Sequence, residues 1–146
     1  MTQSEDIAAE LFAYYGGGHK YPTLEQWRSL LNSNHTGPVV MVNMIRLEET
    51  AANPYDPSEQ LSGLELMVRY QSASIDAVER YGGSSVYSGL VGQAVIGSSD
   101  WDIVGLVQYP DVGAFISVFR DADYRAAHLN RSAACAEHQL LLSFPG

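Results

Sequence analysis

Val39-Val40-Met41-Val42-Asn43-Met44-Ile45-Arg46-Leu47 decides the fold. The run is dense in valine and methionine and too short for a typical helix, so it reads as a strand. Val39, Met41 and Ile45 fall on one side of it, Val40, Val42 and Met44 on the other. Side chains alternate across a strand, so this one belongs to a sheet whose two faces both need cover.

Downstream, residues 48–58 hold two prolines and are expected as a loop. Leu61, Leu64, Met67, Val68, Ile75 and Val78 follow a helical period, which Gly82-Gly83 ends. Ser85 to Ile96 is a Val-rich strand, Gly97-Ser98-Ser99-Asp100 a hairpin turn, and Ile103 to Tyr109 its partner. Pro110-Asp111 opens a helix carrying Val112, Phe115, Ile116 and Phe119. A further helix is expected from about Asp123 to Ala136, then a strand from Gln139 to Phe144. The order β-α-β-β-α-β predicts an α+β, ferredoxin-like antiparallel sheet with helices on one face.

The open face needs a second layer. A second subunit's sheet supplies one, so a homodimer is expected. The alternative cover is the N-terminal segment, which reads as two helices. Ile7, Leu11 and Tyr14 recur at helical spacing before Gly16-Gly17-Gly18. Thr23 and Gln26 form a capping box ahead of Leu24, Trp27, Leu30 and Leu31. The expected organisation is a helical extension over residues 1–37 and an α/β domain over residues 38–146.

The 146 residues suit one domain, and 46% hydrophobic against 17% charged excludes a disordered chain. The net charge of −9, with Lys20 the sole lysine, repels nucleic acid and anionic lipid, so neither is an expected partner. Cys135 is alone and has no internal disulfide partner. With no basic leader and no long apolar run, a cytoplasmic location is expected.

Trp101-Asp102-Ile103-Val104-Gly105-Leu106-Val107-Gln108-Tyr109-Pro110-Asp111, then Ala114-Phe115 and Arg120-Asp121-Ala122-Asp123-Tyr124-Arg125-Ala126-Ala127, resembles the bacterial domain-of-unknown-function family 1330. Residues 38–145 carry the resemblance. It implies a place in the dimeric α/β-barrel superfamily, hence a fold and a dimer rather than a reaction. Residues 1–36 lie outside it.

The helix after Asp123 is the most informative for chemistry. Tyr124, His128, Arg131 and Cys135 fall within about 60° of one another around its axis. Ala122, Ala126, Leu129 and Ala133 take the opposite side and read as its core stripe. As a cleft wall, the polar stripe offers His128 for proton transfer, Arg131 for a substrate carboxylate or enolate, and Tyr124 as an assistant. Without such a role it is a dimer contact or a hydrogen-bonded surface. Asn43 interrupts the apolar strand and either binds a ligand carbonyl or joins an internal network. Trp101 walls a pocket or plugs the core; Asp102 orients a cation or serves a turn. His19, His35, His128 and His138 lack metal-ligand spacing, Gly16 to Lys20 lacks phosphate-loop spacing, and no metal or cofactor is expected. Cys135 reads as a small buried hydrophobe. Together these features point to a cofactor-independent small-molecule enzyme of isomerase, cyclase or lyase type. The alternative is a non-catalytic ligand-binding or dimeric interaction module.

Overall fold

The computed structural model describes residues 2–146. Two N-terminal helices, α1 (Gln3–Tyr15) and α2 (Leu24–Leu31), precede strand β1 (Val39–Leu47). A small hairpin of β2 (Thr50–Asn53) and β3 (Asp56–Ser62) follows, then α3 (Gly63–Arg80) and β4 (Ser84–Leu90). The chain continues through β5 (Ile103–Tyr109), α4 (Val112–Arg120), α5 (Ala122–Ala134) and β6 (Cys135–Ser143). The main sheet runs β4-β5-β1-β6 with every neighbouring pair antiparallel. This is the ferredoxin-like arrangement, with β1 and β5 central and α3, α4 and α5 as connections.

Three elements differ from the expected ones. Residues 48–58 are not a plain loop. The Asn53 side chain accepts from the Tyr55 amide at 2.9 Å, an Asx turn that closes the β2–β3 hairpin. Pro57 lies in the irregular stretch between the Ala52–Gln60 and Asn53–Asp56 pairs, where no ladder bond needs its nitrogen. Strand β4 stops at Leu90, and residues 91–102 form a long loop closed by Val91 N–H donating to Asp102 C=O at 2.9 Å. Helix α5 passes into β6 at Cys135 without a loop, so β6 starts four residues before the predicted strand.

The face of α5 is also inverted. Ala122, Ala126 and Leu129 are exposed, whereas Tyr124, His128, Arg131 and Cys135 are buried. A tyrosine ring or an arginine stem removes far more apolar area from water than an alanine methyl. The large polar residues therefore go inward wherever their tips find partners.

The N-terminal helices lie against the helical layer and leave the open face of the sheet uncovered. Trp27 is fully buried, its ring 5.4 Å from that of Phe119, and the Tyr15 hydroxyl donates to the Phe119 carbonyl at 2.5 Å. Val40, Val42, Met44 and Leu106 on the open face are half-buried, and Leu141 and Tyr87 are exposed. Trp27→Ala is expected to lose about 3–5 kcal/mol of unfolding free energy, measured by urea denaturation. A loss under about 1 kcal/mol would mean that the N-terminal helices dock only loosely.

Candidate functional site

A cavity of about 670 Å³ lies between the inner face of the sheet and the helices. Strand register builds its floor. Asn43 pairs with Gly105 on β5 and Leu140 on β6; Met41 pairs with Val107 and Leu142; Ile45 pairs with Ile103 and His138. Met67 and Tyr70 of α3, Phe115 of α4, and Tyr124 and Arg131 of α5 form the roof. The α1–α2 linker closes one end with Lys20 and Tyr21. Gly105 contributes space: a Cβ there would meet only the Asn43 Cβ at 3.9 Å. A strand glycine with room beside it widens the floor.

A hydrogen-bonded chain crosses the cavity from helix to sheet. Arg131 Nη1 lies 2.6 Å from His138 Nδ1, and His138 Nε2 lies 3.0 Å from Asn43 Oδ1. The Asn43 amide nitrogen donates to the Gly105 carbonyl at 3.3 Å. A guanidinium only donates, so Nδ1 accepts and the imidazole proton sits on Nε2, which donates to Asn43. Burial and the adjacent Arg131 charge push the His138 pKa down to about 3, so the ring is neutral at pH 7.

Arg131 itself is 3% exposed. Its guanidinium carbon sits 4.5 Å from the centre of the Tyr21 ring, a cation–π contact, and its Nε has no hydrogen-bond partner. Arg28, Arg46, Arg69, Arg80, Arg120 and Arg125 each have a carboxylate oxygen within 3.6 Å. Among the described residues Arg131 has none. No Asp or Glu lines the cavity. The Tyr70 and Tyr124 hydroxyls are 2.9 Å apart, and burial raises both pKa values, so both remain protonated donors.

His128 is buried just behind this wall. Its Nδ1 is 2.7 Å from the Tyr21 hydroxyl, and the Tyr14 and Tyr15 rings pack against it at 5.6 and 5.0 Å. Burial first, then the charges of Arg131 and Arg125, lower its pKa to about 4.

Of the residues singled out in the sequence, Asn43, Tyr124 and Arg131 share the cavity wall. His128 reaches it only through Tyr21. Trp101 and Asp102 do not line it. The Asp102 carboxylate accepts from the Leu47 amide at 2.8 Å, and its own N–H donates to the Ile45 carbonyl at 2.8 Å, which ties the long loop to the end of β1. Cys135 is fully buried, its thiol pKa raised by burial. Sequence reasoning missed His138, Tyr21, Tyr70 and Gly105. Only His138 carried a usable signal: a strand begun at Cys135 puts it on the same side as Leu140 and Leu142. Among the described residues, no three His, Cys, Asp or Glu side chains group as a metal site, and no helix is long and apolar enough to cross a membrane.

Fold and site together define a ferredoxin-like α+β protein with an internal sheet–helix cavity. Two crystal structures of the RPA0582 protein of Rhodopseudomonas palustris, one of the methylated protein, share this architecture at 34% identity. Their TM-scores are 0.80 and 0.79; the match covers 88% and 89% of this chain, and 96% and 98% of theirs. This chain belongs to the same family as RPA0582, which is described as a protein of unknown function. A dimeric ferredoxin-like protein of unknown function from Thermobifida fusca YX is 11% identical, over 77% of this chain and 96% of its own, at a TM-score of 0.49. No family model matches the chain, and no curated protein does.

Both depressed histidines have one consequence for stability. Between the folded values, about 3 and 4, and the ordinary value near 6.5, the unfolded chain binds more protons, so stability rises with pH. It is fully present above about 6.5 and is lost as pH falls, by up to ~1.4 kcal/mol per pH unit for each histidine. Urea titrations between pH 7 and 4.5 are expected to show this slope, and His138→Gln to reduce it. An undiminished slope in that variant would mean that His138 protonates freely in the fold.

Proposed function

We propose that this protein is a cofactor-independent small-molecule enzyme of isomerase, cyclase or lyase type, with the sheet–helix cavity as its active site. The observation that carries the proposal is the gathering of Arg131, Tyr124 and Tyr70 hydrogen-bond donors on the wall of a cavity that no carboxylate lines. The buried Arg131 and the protonated Tyr124 suit an oxygen that gains negative charge as a neighbouring C–H bond breaks. Asn43 acts as a positioning residue, because it accepts from His138 Nε2 and so helps hold the ring whose Nδ1 accepts from Arg131.

His128 serves as base through Tyr21. The neutral imidazole takes the Tyr21 proton at Nδ1, and the phenolate oxygen takes the substrate proton. A pKa of about 4 makes His128 a weak base. The Arg131 cation lies on the face of the Tyr21 ring, 4.5 Å from its centre. Residues 1–37 act as the lid that delivers Tyr21.

One observation favours a non-catalytic binding module instead. No carboxylate lines the cavity, and both nitrogens of His138 are already engaged. Solvent deuterium exchange separates the two readings. Incubated in D₂O with a panel of small enolisable ketones and keto acids, the wild-type protein is expected to exchange the α-protons of its ligand. Tyr21→Phe and His128→Ala are expected to slow exchange by about 10²-fold or more while binding persists. A ligand that binds without any exchange makes this a binding module.

We further place the chain with family 1330 and the dimeric α/β-barrel superfamily, and propose a cytoplasmic homodimer. The bare face bearing Val42, Leu106 and Leu141 supports the dimer. Apolar sheet faces of this size are normally covered, and an identical face is self-complementary about a twofold axis. In sedimentation equilibrium the wild type is expected as a dimer and Val42→Asp as a monomer. A monomeric wild type would overturn the assembly.

A further inference from the structure

We infer that the occupant of the cavity is a small organic carboxylate, its head group on Arg131 and its apolar body over the Met41–Gly105–Leu142 floor. The inference rests on the cavity being a small-molecule site, as proposed above, and adds the chemistry of the ligand.

Charge distribution is the first support. The chain carries 17 acids against 8 bases, yet no acid lines the cavity, whereas Lys20 and Arg131 both do. An acid-free chamber in so acidic a protein is a site from which negative side chains have been kept out.

Arg131 supplies the second support. A guanidinium has five N–H donors. The bond to His138 engages Nη1, the Tyr21 ring covers a face, and Nε has no partner. A buried charge without a counter-ion is costly, and every other arginine has its carboxylate. An incoming carboxylate supplies the missing counter-charge.

Lys20 is the second cation of the lining. Lys20 is already engaged: its Nζ donates to the Ser132 carbonyl at 2.7 Å in the last turn of α5, where the helix dipole favours a cation. A neutral carbonyl leaves the Lys20 charge in place, so both cations favour an anionic ligand, and among the described residues Arg131 is the one that no protein oxygen engages. The rest of the cavity is large enough to take a ligand body beyond the carboxylate, and its floor beside Gly105 is open.

The test is isothermal titration calorimetry at pH 7 with octanoate and indole-3-acetate, each against its primary amide. Wild-type protein is expected to bind each carboxylate at least 10-fold more tightly than its amide. Arg131→Met is expected to bring the carboxylates down to the affinity of the amides, and Gly105→Leu, which fills the floor, to weaken all four. Amides that match carboxylates in the wild type overturn the inference while leaving a small-molecule cavity in place. Failure of all four probes to bind overturns both. Carboxylates that still bind Gly105→Leu at full affinity sit elsewhere, which also overturns it. If Arg131→Met does not fold, the wild-type ratio of carboxylate to amide decides alone.

Discussion

The hydrogen bond from Arg131 to His138, 2.6 Å long, is the contact on which the remainder of the site depends. It joins the last turn of α5 to β6 only seven residues further along the chain, across a helix-to-strand junction that has no loop. That junction is held from the other side. The Glu48 amide donates to the Ala134 carbonyl at 2.8 Å, and the Gly63 amide donates to the Glu48 carbonyl at 3.1 Å. Gly63 must be glycine, because the Glu48 carbonyl occupies the space a Cβ would need. The end of α5, the start of α3 and the end of β1 are thus fastened at one point. The Arg131 side chain then reaches from that point back over the floor.

Electrostatics follows from this anchorage. A permanent cation beside His138 leaves room for only one protonation state of the imidazole. The neutral ring in turn fixes the orientation of the Asn43 amide. The surface acids are used elsewhere. Arg80 bridges Asp121 and Asp123 at 2.5 and 2.9 Å, and Arg125 pairs with Glu10 at 2.5 Å while covering the Tyr14 ring at 4.1 Å. The second pair fastens α1 to α5, so the extension is held by charge as well as by the Trp27–Phe119 packing.

Much of this was legible in the residues, and the failures have physical causes. The doubly apolar β1, the glycine-ended α3 and the order of strands and helices follow from periodicity, which is local. The spacing of Tyr124, His128 and Arg131 was also visible, but the direction of that stripe was not. Periodicity reports a face; whether a polar face is buried depends on partners from distant segments, here Tyr21, Tyr70 and His138. Alanine at the opposite positions imitated a core stripe because a methyl is tolerated in either environment. His138 was missed through a strand boundary four residues late. Nothing in the composition of the α1–α2 linker marks Tyr21.

Tyr21 changes how the chain divides. It belongs to the extension, yet its ring covers Arg131, its hydroxyl meets His128, and it lines the cavity. Without the extension, Arg131 would face solvent from that side and lose its cation–π partner. The pKa of His128 would rise with its exposure, since burial is the main cause of its depression. A neutral His128 and a covered Arg131 are two results of one docking event. The extension is therefore built into the site, and the sheet, α5 and the linker between α1 and α2 together make one chemical environment.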